Sequence, residues 1–405
     1  MYRTSCLFCG SSELAQIMDL GLQPFADTFL KEKDLEEAEI TYPLILDLCM
    51  HCGNVQSRCI TSPDDRYVNH DYSYTSSNSA FARNHWDEYT REITQKMKVS
   101  QTGLIIEIGS NDGYLSEQFM KRGNKVVGVD PSPVMAKLAA ARNVTTEIGL
   151  FNDALAAKLL KEYGPAELII ANNVFNHSDA TLDFSKGVAK LLSPSGTFVF
   201  ELPYFYIAVK DKQFDHAYHE HVTYLTVTSA QSVLRRAGMH ITSAEVVNYH
   251  GGSLRVYAQR GESKEVPADA AQLMAKEREL GLFSPETYVA FMKEIHAQRN
   301  SFLQQLYSIK VKGGVIIAVG AAAKGNTFLN FYNLNHKTIE YVTDASPQKK
   351  GKWTPYSRIP IVGDEVFGKF DAPYALILAW NLSDQLRDAL RKINPKVEFI
   401  SPWSH

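Results

Sequence analysis

Residues 102–130, TGLIIEIGSNDGYLSEQFMKRGNKVVGVD, run from an apolar strand at Leu104 to Ile108 through a glycine-bearing turn into an amphipathic helix, then into a second strand ending on Asp130. Strand, turn, helix, strand is the opening of a doubly wound α/β sheet. Gly109, Asn111 and Gly113 occupy the turn, where a ligand approaching the backbone and a helix N-terminus requires small residues. Asp130 lies where a carboxylate can accept hydrogen bonds from a ribose diol. Glu107, just before the turn, argues against a pyrophosphate, because a fixed negative charge repels phosphate and suits a cation. S-adenosylmethionine, a sulfonium and an ammonium in one molecule, meets that condition. The later strand AELIIANNVFNH carries Asn172 and Asn173 at its carboxyl end, on the ligand edge of such a sheet, and FVFELPYF (198–205) reads as a further strand. The pattern alone also admits a Rossmann-like domain for another nucleotide.

Outward toward the amino terminus, all five cysteines fall before residue 60. Cys6 and Cys9, then Cys49 and Cys52, form two C-x2-C knuckles, each followed by glycine. This spacing turns two sulfurs inward onto one ion, and two knuckles close a tetrahedral zinc shell with no open position. The zinc is therefore expected to be structural, replacing part of a core that some 60 residues cannot build alone. Cys59 is left over.

Outward toward the carboxyl terminus, residues past 255 read as helical, with Ser284-Pro285-Glu286 a helix start. GGVIIAVGAAAKGNTFLNFY and YVTDASP then repeat the strand, turn, helix and acid-tipped strand, implying a second Rossmann-like α/β domain. Lys324, Asn326 and Thr327 sit at its first helix N-terminus, a setting that suits a sugar diphosphate. The expected organisation is α/β: a zinc-binding module over 1–70, a central Rossmann-like S-adenosylmethionine-binding domain with a helical linker over 71–305, and a C-terminal Rossmann-like α/β domain suited to a sugar diphosphate over 306–405. The 405 residues carry 42 Lys plus Arg against 45 Asp plus Glu, a net charge of −3, which offers no footprint for nucleic acid or an anionic membrane. With no signal-like or membrane-length apolar run, the expected location is the cytoplasm, as a monomer or small homo-oligomer.

The stretch DKQFDHAYHEHVTYLT concentrates Tyr218, His219, Glu220 and His221. A simple strand would point Tyr218 and Glu220 one way and His219 and His221 the other, so convergence requires a turn or irregular loop. The group lacks a metal-ligand spacing, which favours acid/base chemistry over a catalytic metal. Taken in order, C-L-F-C-G, L-C-M-H-C-G-N-V-Q, E-I-G-S-N-D-G-Y-L, Y-H-E-H, H-G-G-S-L-R-V-Y and A-K-G-N-T-F-L-N resemble the nucleotide-sugar C-methyltransferases of antibiotic deoxysugar pathways, over nearly the whole chain. The resemblance implies methylation at C3 of a dTDP-linked 4-keto-deoxysugar. It implies His221 as the base that removes the C3 proton to give an enolate, with Glu220 orienting the ring or binding a sugar hydroxyl, Tyr218 stabilising the oxyanion, and His177 in the active site. It also brings Tyr72 and Tyr74 toward that site. An imidazole at its ordinary pKa of about 6.5 is largely neutral near pH 7, as a base must be. An oxygen or nitrogen methyltransferase acting on a sugar, and a catalytically inactive zinc-bearing binding protein, are the other readings; the identity of the nucleotide base stays open.

Overall fold

The computed structural model describes residues 1–67, 75–77 and 79–402, organised on three sheets. The central sheet grows from the stretch quoted above. Strand β4 (Leu104–Ile108) is buried at every position, as a parallel strand covered on both faces must be. β5 (Lys125–Asp130), β6 (Thr145–Ile148), β7 (Ala166–Ile170) and β8 (Leu192–Pro203) join it in parallel. β10 (Met239–Val247) and β11 (Ser253–Arg260) add an antiparallel hairpin, giving the order β10-β11-β8-β7-β4-β5-β6. The order in which strands are added reverses between β4 and β7, which opens a crevice beyond their carboxyl ends. The hairpin corrects the expectation of helix from residue 255: β11 runs to Arg260, and the next helix begins only at Ala268. Likewise FVFELPYF is strand only to Pro203, because a new helix starts at Phe205.

The amino-terminal sheet is antiparallel, in the order β1 (Leu14–Gln23), β2 (Tyr42–Cys49), β3 (Val55–Ser57) and β9 (Thr223–Tyr224). Its last strand comes from the segment just after His221, so Gln56 pairs with Thr223 across the fold. Beyond the long helix Pro285–Val311, which has Ser284 as its N-cap and proline as its first residue, lies the third sheet. It is fully parallel, in the order β14 (Ile361–Val362), β13 (Tyr341–Thr343), β12 (Ile316–Val319), β15 (Tyr374–Ile377) and β16 (Glu398–Ile400).

The apolar cores cross these boundaries. Cys6, Phe8, Cys49 and Cys52 join the cluster under the central sheet, whereas Ile17, Leu20, Leu44 and Leu46 pack with Phe291, Phe302, Phe328 and Leu376 of the carboxyl-terminal region. Each buried Leu or Phe contributes about 1.5–3 kcal/mol. The amino-terminal sheet is thus wedged between the other two, and its edge meets the Tyr218 segment. Among the described residues no helix is long and apolar enough to cross a membrane.

Candidate active site

The two cysteine knuckles are near-copies. Gly10 N–H bonds Cys6 O and Gly53 N–H bonds Cys49 O, each at 2.9 Å, and both glycines hold the left-handed conformation, at φ 75° and 71°. This closes each turn over its sulfurs. All four Sγ atoms lie within 4.8 Å of one another, with Cys6 to Cys52 at 3.5 Å and Cys9 to Cys49 at 3.6 Å. Four sulfurs about 2.3 Å from one ion stand roughly 3.8 Å apart, so the set fits tetrahedral zinc. The Phe8 N–H and the Asn54 amide point at Cys6 Sγ, at 3.4 and 3.6 Å, as donors to a thiolate.

At the central crevice, Gly109 sits at φ 73°, and a Cβ there would come within 2.0 Å of Val174 Cγ2. Only glycine lets the turn pass beneath the β7 loop. Asn111 is also left-handed, at φ 49°. Asp130 accepts from Asn111 N–H and Ser132 N–H, both at 2.9 Å, so one oxygen serves each main-chain donor. Each carboxylate oxygen keeps a second acceptor position, which a ribose diol can use. Glu107 is buried, bonded to the Ser116 hydroxyl, and pushed up to about 8 by burial. Near neutral pH the carboxyl holds its proton, and a cation arriving beside it would favour the ionised form and expel that proton. Gly113, the left-handed N-cap of the next helix, completes the turn, while Asn172 receives the Tyr89 hydroxyl at 3.4 Å and Asn173 takes φ 54° at the β7 end. The small turn, the free acceptor positions and the buried acid fit S-adenosylmethionine.

Tyr218 to His221 form a tight turn, closed by His221 N–H on Tyr218 O at 3.0 Å. The turn brings three of the four side chains together and sends one away. His221 packs on Tyr218 with ring centres 3.9 Å apart and lies 5.1 Å from His177. His219 turns toward the amino-terminal sheet, where its Nε2 meets Tyr42 O at 3.1 Å. His221 Nδ1 is 2.9 Å from His216 O, and since a carbonyl only accepts, the ring carries its proton on Nδ1 and its lone pair on Nε2. Burial holds His221 down at about 4 and His177 well below its ordinary range, so both rings are neutral far below pH 7. The ordinary value of 6.5 expected from sequence does not hold here, because the turn is walled on all sides. Burial conversely raises Glu220 to about 7.

Three regions of the chain meet at this turn. Glu220 Oε1 accepts from Asp27 N–H at 3.0 Å, and the preceding carbonyl of Ala26 receives the Asn326 amide at 2.6 Å. The Thr327 hydroxyl donates to Ala217 O at 3.0 Å. The side chains of Asn326 and Thr327 therefore bind protein main chain, and Lys324 bonds Asn381 with its ammonium 3.8 Å over the Trp380 ring. Tyr67 links His177 Nδ1 at 3.0 Å to Glu220 O at 3.2 Å. Tyr67, Asp27 and Trp380 had no recognisable motif around them; each reaches the site through a contact between distant positions. Tyr72 and Tyr74 lie outside the described residues. Buried around the turn, His177 Nε2, Glu220 Oε2 and Asn176 Oδ1 have no hydrogen-bond partner among the described residues.

Family models cover residues 6–67 as a zinc-binding domain, 81–244 as a methyltransferase domain and 248–402 as a C-methyltransferase C-terminal domain. The chain is an S-adenosylmethionine-dependent methyltransferase. More narrowly, it is similar to a C-methyltransferase, being 29% identical to the C-methyltransferase NovU of Streptomyces niveus over 95% of this chain and 91% of that protein. A shorter stretch, 24% of this chain and 38% of the relative, is 35% identical to a ubiquinone biosynthesis O-methyltransferase of Caulobacter sp. (strain K31). Magnesium protoporphyrin IX methyltransferase from Synechocystis PCC 6803 superposes with a TM-score of 0.36 at 16% identity, covering 44% of this chain and 83% of that one, too distant to bear on function.

Proposed function

We propose that the enzyme methylates C3 of a nucleotide-linked 4-keto-deoxysugar, dTDP-linked in the first instance, with His221 as base. The observation that carries this reading is the set of buried polar atoms on Glu220, His177 and Asn176 around the His221 ring that have no hydrogen-bond partner among the described residues. Leaving each unsatisfied costs about 1–3 kcal/mol, which the hydroxyl donors of a sugar would recover. When bound, S-adenosylmethionine supplies an electrophilic methyl group. Carbon becomes nucleophilic only when an adjacent ketone acidifies its C–H. The Nε2 lone pair of His221 takes the C3 proton, and the charge moves to the C4 oxygen as an enolate. Glu220, titrating near neutrality, and the Tyr218 hydroxyl are the donors for that oxygen. His177 holds a sugar hydroxyl. On the cofactor side, Glu107 faces the cationic end, Asp130 the ribose, and Asn172 and Asn173 line the crevice. The nucleotide half lies toward Lys324, whose helix also brings Asn326 and Thr327 against the Tyr218 turn.

The test pairs a 4-keto sugar nucleotide, in dTDP and GDP forms, with its 4-hydroxy counterpart and follows methyl incorporation by mass spectrometry. C-methylation requires the ketone; equal turnover of the 4-hydroxy sugar would replace this reading with oxygen or nitrogen methylation. With deuterium at C3, wild-type enzyme should release the label, whereas His221→Asn should retain it, with kcat lowered at least ~10²-fold and cofactor affinity kept. Label loss in the mutant would assign the base elsewhere, His177 being next.

A further inference from the structure

A base with two ring nitrogens works only when the lone pair is on the nitrogen that faces the substrate. For His221 that choice rests on one bond, from Nδ1–H to the main-chain oxygen of His216. His216 ends the single-turn segment Phe214–His216. Within that turn the amides of His216 and Ala217 bond Gln213 O and Phe214 O, at 3.3 and 3.0 Å, so the His216 oxygen lies outside the turn's own pairing. Its direction is set by whatever holds the turn.

That hold comes from the far end of the chain. The indole N–H of Trp380 donates to Asp215 Oδ2 at 2.7 Å, across 165 positions. The ring is wedged in place: the Lys324 ammonium lies 3.8 Å over it, and Gly251 packs so close that a Cβ would fall 2.3 Å from Cη2. Its edge meets the His216 imidazole, with centres 5.6 Å apart at 80°. Asp215 is fully buried, and its other oxygen, Oδ1, has no hydrogen-bond partner among the described residues. Such a carboxylate is costly to keep. No step of proton abstraction uses it.

We infer that Asp215 and Trp380 are positioning residues, through which the carboxyl-terminal region orients the 214–216 turn and so fixes His221 in the tautomer that leaves Nε2 free. The inference rests on the reading of His221 as base, but its test does not depend on which sugar is methylated. The probe is 15N-histidine-labelled enzyme saturated with S-adenosylhomocysteine, with the His221 signals assigned by their loss in His221→Asn. Wild-type enzyme should show protonated Nδ1 and unprotonated Nε2. Trp380→Phe keeps an aromatic ring under Lys324 and removes the donor; Asp215→Asn keeps the shape and removes the charge. Both should populate the opposite tautomer and lower kcat by tenfold or more, within the ~10²–10⁴-fold a positioned base supplies, while KM and S-adenosylhomocysteine affinity change less than twofold. An unchanged tautomer in both variants overturns the inference, whether kcat holds or falls. So does a loss of kcat that tracks melting temperature and cofactor affinity, since the contact would then only hold the regions together.

Discussion

The central and carboxyl-terminal sheets open with the same device, and they use it differently. Gly109 N–H bonds Val129 O at 2.7 Å, and Gly320 N–H bonds Thr343 O at 2.7 Å. Asp130 accepts from Asn111 and Ser132 N–H, and Asp344 from Ala321 and Ser346 N–H, all at 2.8 to 2.9 Å. Yet the helix after the first turn begins at Tyr114, five residues past its glycine, and after the second at Ala323, three past. Two residues before each glycine stand Glu107 and Ala318. The second turn is also filled by its own chain, since buried Lys349 places Nζ 2.7 Å from Ala321 O. An acid at the end of the second strand therefore serves the turn first. Turn length and the acid before the turn are what separate the two crevices, the first of which we propose holds S-adenosylmethionine.

One substitution made in both turns is the strongest way to break this contrast. Gly109→Ala drives a methyl into Val174 at a backbone angle unfavourable to L-residues, and should weaken S-adenosylhomocysteine binding by more than about tenfold, a cost above ~1.4 kcal/mol. Gly320→Ala meets Ala379 at 2.5 Å and should lower the melting temperature while leaving that affinity within about twofold. Titration calorimetry on both variants decides it; equal losses of affinity would mean the two crevices are not distinct in use.

The amino-terminal sheet offers a second, smaller perturbation. Stripping zinc should free Phe25 to Asp27 and with them the Asp27 N–H bond to Glu220, lowering kcat about tenfold while cofactor affinity holds. Elemental analysis must first find one zinc per chain. Loss of affinity before loss of turnover would place the metal's influence on the central crevice instead.

The third comparison is Asp130→Asn against Asp344→Asn. Each replaces an acceptor of two main-chain donors, Asp130 buried and Asp344 only half-buried, so chemical denaturation should show a loss of about 1–3 kcal/mol for Asp130→Asn and less for Asp344→Asn. Only Asp130→Asn should weaken cofactor binding, by several-fold to tenfold. Matching affinities would remove Asp130 from the ribose.

These contrasts also mark what was legible beforehand. Gly109, Asp130 and the knuckle glycines declared themselves because a tight turn constrains residue type locally. Glu220 and His221 were visible as a cluster, though not their turn, since period-two reasoning only said a strand would fail. The two-residue strand Thr223–Tyr224 is too short to leave a pattern, and the hairpin Met239–Arg260 was hidden by a following helical run. Tyr67 to His177 and Trp380 to Asp215 join positions 110 and 165 apart, and no periodicity encodes such pairs. Lys324 was legible as a cation at a helix start, but sequence could not say that its charge lies over an indole.

The smallest expected effect concerns Glu107, which has no counterpart in the second turn. Burial raises its carboxyl to about 8 from an ordinary 4.5. The folded, cofactor-free protein thus holds this proton more tightly than the unfolded chain does. The stability it contributes is complete below about pH 4.5 and is lost as pH rises through 8. A cationic cofactor reverses the preference: it favours the carboxylate, so binding must expel the proton wherever Glu107 is still protonated. S-adenosylmethionine affinity should therefore rise several-fold from pH 6.5 to 7.5, a window below the cofactor's own α-amino titration near 8. Calorimetry in buffers of different ionisation enthalpy should count close to one proton released per site near pH 6.5 and fewer near pH 8. Glu107→Gln should flatten both the affinity profile and the proton count, and Ala318→Glu should leave both unchanged. Binding heat that ignores the buffer would show that the cofactor's charge does not reach Glu107, leaving turn length as the feature that separates the two crevices.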